Sequence, residues 1–212
     1  MPDDDVPSPI DFNDPIQARA WVEDTVKRRP YRPRFFAAFA EALNTRSVGP
    51  LDVLELGSGP GQLAEQILRH CAVRQYVARD FSAAMHAIAR ERLMPFLDRL
   101  EFVERDFRRP DWGNGLGRFD AVVTMQSAHE TRHKRHLPDF LRAAREHLIS
   151  NGILLYSDHY AEEGSGKNPA LMAARAEKGE ALERAGFSNV QHLLDEGGMA
   201  LYSAANVSGK AG

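Results

Sequence analysis

Apolar and polar positions alternate along this chain in two rhythms. Short runs rich in apolar and β-prone residues at 51–56, 75–79, 100–105, 119–125 and 152–158 predict strands, and Val53, Leu54 and Leu56 make the first a strand buried on both faces. Between them, at 62–71, 83–93 and 137–148, apolar residues return at helical spacing, as Leu63, Ile67 and Leu68 do, and predict amphipathic helices. Upstream the helical period covers 16–28. After Pro30 and Pro33 it resumes over 34–43, where Phe35, Phe36, Phe39, Ala40 and Leu43 line one side. Downstream a helix is predicted over 168–185, ended by Gly186, then strands at 190–194 and 199–205 joined through the hairpin signal Gly197-Gly198. Such alternation predicts an α/β fold, a mostly parallel sheet with helices on both faces. Residues 1–14 read as a frayed, disordered start, 15–47 as a helical cap, 48–206 as the main domain and 207–212 as a tail.

Composition sets the frame. At 212 residues, 43% apolar and 27% charged, the chain suits one soluble domain that buries a full core without staples. A net charge of -3 argues against a surface built to coat nucleic acid or an anionic membrane. Cys71 is the only cysteine, so no internal disulfide forms and no oxidising compartment is required. Residues 1–14 carry acids and prolines in place of a signal peptide's basic and apolar regions, and no apolar run is long enough to span a bilayer. The expectation is a cytoplasmic protein.

The most informative stretch is Leu-Asp-Val-Leu-Glu-Leu-Gly-Ser-Gly-Pro-Gly at 51–61, an apolar strand with an acid near its end that runs into three alternating glycines. Such a turn lets backbone approach a nucleotide-type ligand where a Cβ would collide. A dinucleotide fingerprint reads G-x-G-x-x-G; here the third glycine comes one place early and Gln62 holds the sixth position, which disfavours a diphosphate. Glu55, Gly57, Gly59 and Gly61 resemble motif I of the class I S-adenosylmethionine-dependent methyltransferases, E/D-x-G-x-G-x-G.

Further landmarks carry the resemblance over about 28–206. Asp80 ends the second strand nineteen residues past Gly61, in Ala-Arg-Asp-Phe-Ser-Ala-Ala-Met. A carboxylate there accepts both ribose hydroxyls, although Asp80 or Ser82 also suits a plain N-cap. Leu148 to Leu155 resembles the family's L-x-P-G-G-x-L with Ser150-Asn151 in place of Pro-Gly, and 181–190 resembles its late helix-turn-strand with Ala-Gly-Phe. The resemblance implies a doubly wound, mostly parallel seven-stranded sheet with an antiparallel C-terminal hairpin, and S-adenosyl-L-methionine as cofactor. It implies a cofactor set of Tyr31 flanking the methionine part, Glu55, Gly57, Ser58, Gly59 and Gly61 in the loop, Asp80 with Phe81 and Met85, Asp106 and Phe107 at the adenine, and Gln126 and Ser127 at the sulfonium.

His129-Glu130-Thr131-Arg132-His133 spells H-E-x-x-H, the pattern by which one helical face holds zinc beside a glutamate base. Its context differs: the stretch starts four residues after a strand and continues Lys134-Arg135-His136. A third ligand from His136, His147, Asp158 or His159 falls at no metzincin spacing, and no metal is assigned. The segment is then either a solvated basic loop or part of a substrate pocket. Ligands of open parallel sheets bind beyond the strands' carboxyl ends, where His129 and Glu130 follow one strand and Asp158, His159 and Tyr160 end the next. His129, then His159, then Glu130 are the candidate bases, with Asp158 orienting a histidine.

Arg28, Arg29 and Arg32 are candidates for meeting a carboxylate, set against the bland reading of a solvated helix end. The segment after the fourth strand lacks D/N-P-P-Y/F/W, which disfavours nucleobase amines, and the absence of a Pro-Cys pair closes the route to C5-methylated pyrimidines. The expected function is methyl transfer to a small-molecule acceptor by in-line displacement, with no nucleic-acid or membrane partner. Alternatives are an NAD(P)-dependent oxidoreductase, a non-catalytic cofactor-binding protein and an HExxH metal-dependent hydrolase. The pattern carries no signal of the accepting atom or of the oligomeric state.

Overall fold

In the computed structural model, which describes residues 5–46, 49–163 and 165–207, the predicted alternation of strands and helices is present. The chain divides into two units, Ser8–Trp112 and Gly113–Gly212, the latter including the N-terminal residues up to Pro7.

The first unit begins with α1 (Pro15–Arg28), capped by the Asp14 carboxylate on Ile16 N–H, with Pro15 at the position where a missing N–H costs nothing. α2 (Arg32–Arg46) starts earlier than the pattern predicts because Pro33 falls in its first turn, and it buries Phe35, Phe36, Phe39, Ala40 and Leu43. Then come β1 (Leu51–Leu56), α3 (Gln62–His70), β2 (Val73–Asp80), α4 (Ala83–Arg92), a 3-10 segment at Met94–Arg99 and β3 (Leu100–Glu104). β2 pairs in parallel with β1 and with β3. α3 turns Leu63, Ala64, Ile67 and Leu68 inward, the face read from the sequence.

The second unit contains β4 (Phe119–Met125), two 3-10 turns at Ala128–Thr131 and Lys134–His136, α5 (Leu137–Glu146), β5 (Leu148–His159), α6 (Arg175–Arg184), β6 (Ser188–Glu196) and β7 (Met199–Ala205). β4 and β5 run parallel, and β7 is antiparallel to both β5 and β6. The seven strands follow the order β3-β2-β1-β4-β5-β7-β6. This is the doubly wound, mostly parallel sheet with an antiparallel C-terminal hairpin that the resemblance implies. β5 begins earlier than predicted, at Leu148, and Asn151 takes φ 66° within it. Asparagine tolerates the left-handed region, so Ser150-Asn151 makes the turn that Pro-Gly makes in the family pattern. α6 is shorter than the predicted 168–185: Pro169 lies in the turn before it, and Glu177 accepts from Ala174 N–H at 2.7 Å to fix the start at Arg175.

The chain start is a point of difference. Residues 5–14, read as frayed, are tied down: Val6 N–H bonds to Arg132 O at 2.8 Å, Arg132 donates to Val6 O and Pro7 O at 2.7 Å each, and Asp5 pairs with Arg135. Within the first unit, Ser82 donates to Phe12 O and the Phe12 ring stands edge-on to Trp21 at 5.4 Å. The partners lie far along the chain, so local composition carries no sign of them. The predicted boundary at 47/48, residues 1–4 and the tail from 208 lie outside the described residues. No helix among those residues is long and apolar enough to cross a membrane.

Candidate active site

In the first unit, β1 delivers the chain into a turn that side chains would obstruct. Gly57 N–H and Ser58 N–H both bond to Arg79 O, at 2.8 and 2.9 Å, drawing the loop over the end of β2. Gly59, at φ 52°, has nothing within 4 Å of a would-be Cβ, whereas Gly61, at φ 75°, would set one 2.8 Å from Leu93 Cδ1. One residue leaves room for a ligand and the other seats α3 against α4. Asp80, buried at the end of β2, accepts from Gly59 N–H at 2.7 Å and from Ser82 N–H at 2.9 Å. The cap of α4 is Ser82, whose hydroxyl accepts from Met85 N–H at 3.0 Å.

Around the loop, Glu55 is 2% exposed and accepts from Tyr76 Oη–H at 2.8 Å. Burial pushes its carboxyl up to about 8 against that hydrogen bond, so it is mostly neutral at pH 7 and braces β1 on β2. Arg32, at the start of α2, donates to Gln62 Oε1 at 2.6 Å and lies 5.2 Å from the Phe36 ring centre. Burial draws its guanidinium down to about 10, and its Nε–H is buried without a partner, as is Ser58 Oγ. Tyr31 is half-buried, edge-on to Phe35 at 6.1 Å; Phe81 is half-buried, 6.2 Å from Phe12; Met85 is buried in α4. After β3, Asp106 is gripped by Arg108 Nε at 3.0 and 2.9 Å and by Nη2 at 2.6 Å. Burial opposes ionisation of Asp106, but these bonds win and hold it below the usual range, with Phe107 buried beside it.

In the second unit, β4 and β5 end on a cluster of titratable groups. Asp158 Oδ1 accepts from His129 Nδ1–H at 2.8 Å and from His159 N–H at 2.7 Å, while Oδ2 accepts from His129 N–H at 3.0 Å. The His129 ring is thus fixed through Nδ1. Its Nε2 lies 3.4 Å from Glu130 Oε1, and Glu130 Oε2 accepts from Arg132 Nη1 at 2.8 Å. Burial alone would lower His129, but Asp158 and Glu130 outweigh it and raise the imidazole to about 9. Burial likewise opposes, and His129 and Arg132 enforce, ionisation of Glu130, and Asp158 is held far below the carboxylate range by the same histidine. His159 is engaged differently. Gln126 Nε2–H donates to its Nε2 at 2.8 Å and its Nδ1 faces Gly198 O at 3.4 Å. Gln126 sits at φ 57°, 8% exposed, with Oε1 buried and unpartnered, and Ser127 Oγ shares a hydrogen bond with Thr124 at 2.6 Å.

A methyltransferase-domain family model matches residues 53–152, from β1 to the start of β5. Among curated proteins none matches the chain. Solved structures share the fold. The CurJ carbon methyltransferase superposes with TM-score 0.63 at 20% identity, over 76% of this chain and 49% of that one. An O-methyltransferase family protein from Burkholderia thailandensis gives 0.76 at 18% identity, over 93% of this chain and 61% of that one. The N-methyltransferase NodS from Bradyrhizobium japonicum, in complex with S-adenosyl-L-homocysteine, gives 0.64 at 15% identity, over 84% and 87%. Residues 53–152 are thus similar to a methyltransferase domain, and the chain has the class I methyltransferase fold. It spans about half to three-fifths of the first two of these relatives.

Several of the residues predicted from the sequence are brought together within one unit and others are not. Gly57, Ser58, Gly59 and Asp80 form one hydrogen-bonded turn; Glu55 lies beneath it, and Met85 is packed into α4. His129, Glu130, Asp158 and His159 converge at the ends of β4 and β5. The H-E-x-x-H reading does not survive. Arg132 at φ 71° ends one 3-10 turn, so His129 and His133 share no helical face, and His133 Nδ1 is taken by Arg135 N–H at 3.0 Å. No metal-holding cluster of His, Cys, Asp and Glu occurs among the described residues. Sequence reasoning missed Arg132, which links the N-terminal strap to Glu130, and Lys178, buried beneath Asp158. Lysine on the inner face of a helix, beside Ala181 and Leu182, was the available signal for the latter.

Proposed function

We propose that this protein transfers the methyl group of S-adenosylmethionine to the heteroatom of a small-molecule acceptor, with His129 as general base. The carrying observation is the His129–Asp158 pair, in which a buried carboxylate fixes the imidazole through Nδ1, so that Nε2, 3.4 Å from Glu130 Oε1, is the nitrogen that can take a proton once the ring is neutral.

The residues of the first unit fit the donor. Open space at Gly59 admits a ligand against backbone, and the unpartnered Arg32 Nε–H and Ser58 Oγ suit the methionine carboxylate and amine, with Tyr31 beside them. Asp80, whose carboxylate orders the glycine loop at the end of β2, is assigned to the ribose diol, and Asp106 and Phe107 are assigned to the adenine. Gln126 and Ser127 are assigned to the sulfonium end. When bound, S-adenosylmethionine supplies an electrophilic methyl carbon on a positively charged sulfur. His129 Nε2 would take the acceptor's proton, and the bound donor would supply the methyl group that the acceptor's lone pair receives. His159, its Nε2 held by Gln126, and Glu130, held by Arg132, position and polarise instead of taking the proton.

A small acceptor agrees with the acidic net charge of -3 and with Gln126-Ser127-Ala128-His129 standing where nucleobase amine methyltransferases carry their motif. The relatives are named as carbon, oxygen and nitrogen methyltransferases, so the shared fold leaves the accepting atom to the pocket. The test is calorimetry with S-adenosylmethionine and S-adenosylhomocysteine on the wild type and Asp80→Ala, with isotope-labelled methyl transfer to a panel of phenols, amines, thiols and carboxylic acids. Binding of both ligands, weakened tenfold or more in the variant, and labelling of at least one acceptor are expected. Binding of NAD alone would overturn the reading.

A further inference from the structure

One guanidinium in the first unit touches two residues that the resemblance assigns to the donor by separate landmarks. Arg108, in the turn after β3, donates to the Asp106 carboxylate through Nε at 3.0 and 2.9 Å and through Nη2 at 2.6 Å, and its main-chain N–H donates to Oδ1 at 2.9 Å. The same guanidinium lies 5.8 Å from the ring centre of Phe81, the residue that follows β2. A local turn accounts for the main-chain bond, since an aspartate commonly accepts from the N–H two residues on. It does not account for a side chain laid against a ring from a different strand end. The guanidinium is flat, carries N–H donors along its edge and packs on aromatic faces. An aminopurine offers the same features, a flat ring to pack and an exocyclic amine to donate.

We propose that Arg108 is a displaceable occupant of the base subsite: the donor's adenine takes over Asp106 and the Phe81 face as the arginine swings out, and the arginine's return favours release of the demethylated product. The inference rests on the donor reading above and deepens it at one subsite. Exposure decides how firm the contact is. The Arg108 side chain is 47% exposed and that of Asp106 23%, so solvent screens the pair and opening it costs little. Burial opposes ionisation of Asp106, while its bonds to Arg108 and the nearby Arg109 keep the carboxylate charged, an acceptor for either occupant. Such a contact tunes donor affinity and does not bar the site.

The experiment is calorimetry of S-adenosylhomocysteine on the full chain, wild type beside Arg108→Ala and Arg108→Lys. Arg108→Ala clears both surfaces and is expected to bind the ligand about two- to fivefold more tightly, the scale of an exposed ion pair. Arg108→Lys keeps the charge without the flat fork and is expected to fall between alanine and arginine. Equal or weaker binding by Arg108→Ala, with the wild type binding, overturns this inference and leaves the donor reading standing. No binding by either protein overturns both. Should the alanine variant fail to fold, the wild type decides: the Arg108 Nε–H signal in NMR must shift and exchange faster with water as the ligand saturates the protein, and a signal that stays in place rejects the displacement.

Discussion

At the scale of single residues, His129 is the proposed base, and its surroundings set the pH at which it can act as one. Asp158 and Glu130 raise the imidazole to about 9, so at neutral pH most molecules hold the protonated ring, which cannot act as a base. The rate of methyl transfer is therefore expected to climb with pH toward about 9 and to level beyond it. Asp158→Asn removes the largest counter-charge and should move that limb down toward 6.5, the ordinary value for the ring. His129→Asn, similar in shape but unable to take a proton, should lower kcat by about 10²- to 10⁴-fold with little change in donor affinity. Steady-state kinetics across pH check both, and an undiminished kcat in His129→Asn would remove the base from the mechanism.

At the scale of elements, the glycine loop separates two jobs that one motif conceals. Gly61→Ala would force a left-handed alanine into Leu93 and Ala89, at 2.8 and 3.2 Å, and should cost about 2–4 kcal/mol of stability. Gly59→Ala meets no protein atom within 4 Å, so it should cost only about 1–2 kcal/mol of backbone strain yet weaken donor binding strongly. Denaturant unfolding beside donor titration reads the two effects apart; unchanged donor affinity in Gly59→Ala would mean the space at Gly59 is not ligand space. The elements themselves were largely legible. β1, β4 and β7 run as the apolar pattern predicts because each is a predominantly apolar run between clear breakers. The start of β5 was hidden by Ser150 and Asn151, polar residues in a turn-like pair that enter the strand through a left-handed asparagine. Of the site, Asp80 and the glycines announce themselves by spacing, and His129 and Asp158 by standing at the ends of neighbouring strands. Arg132 and Lys178 do not, since their partners come from the chain start and from beneath β5.

At the scale of the whole molecule, the buried ionisable groups fix how stability depends on pH, and their signs can be worked through one by one. Glu55, raised from 4.5 to about 8, stabilises the fold fully below 4.5 and loses that contribution as pH rises through 8. His129, raised from 6.5 to about 9, acts in the same direction: its contribution is complete below 6.5 and gone above 9. Asp158, depressed, contributes above 3.8 and loses its contribution only at strongly acidic pH. Lys178, drawn down from 10.5 to about 8, adds stability only as pH climbs from 8 toward 10.5. These four groups together place the maximum near pH 4–5 and a continuous decline from there to about pH 8, steeper than a protein of unperturbed surface groups would give. The melting temperature of the cofactor-free protein, scanned from pH 4 to 9, is expected to trace that decline. Glu55→Gln keeps an acceptor for the Tyr76 hydroxyl and cannot ionise, so it should flatten the fall between 4.5 and 8 and raise the melting temperature most at the alkaline end. A parallel downward shift across the whole range would instead mean that the Glu55 carboxyl is wanted in the fold for its shape and hydrogen bond, and that the decline belongs to His129.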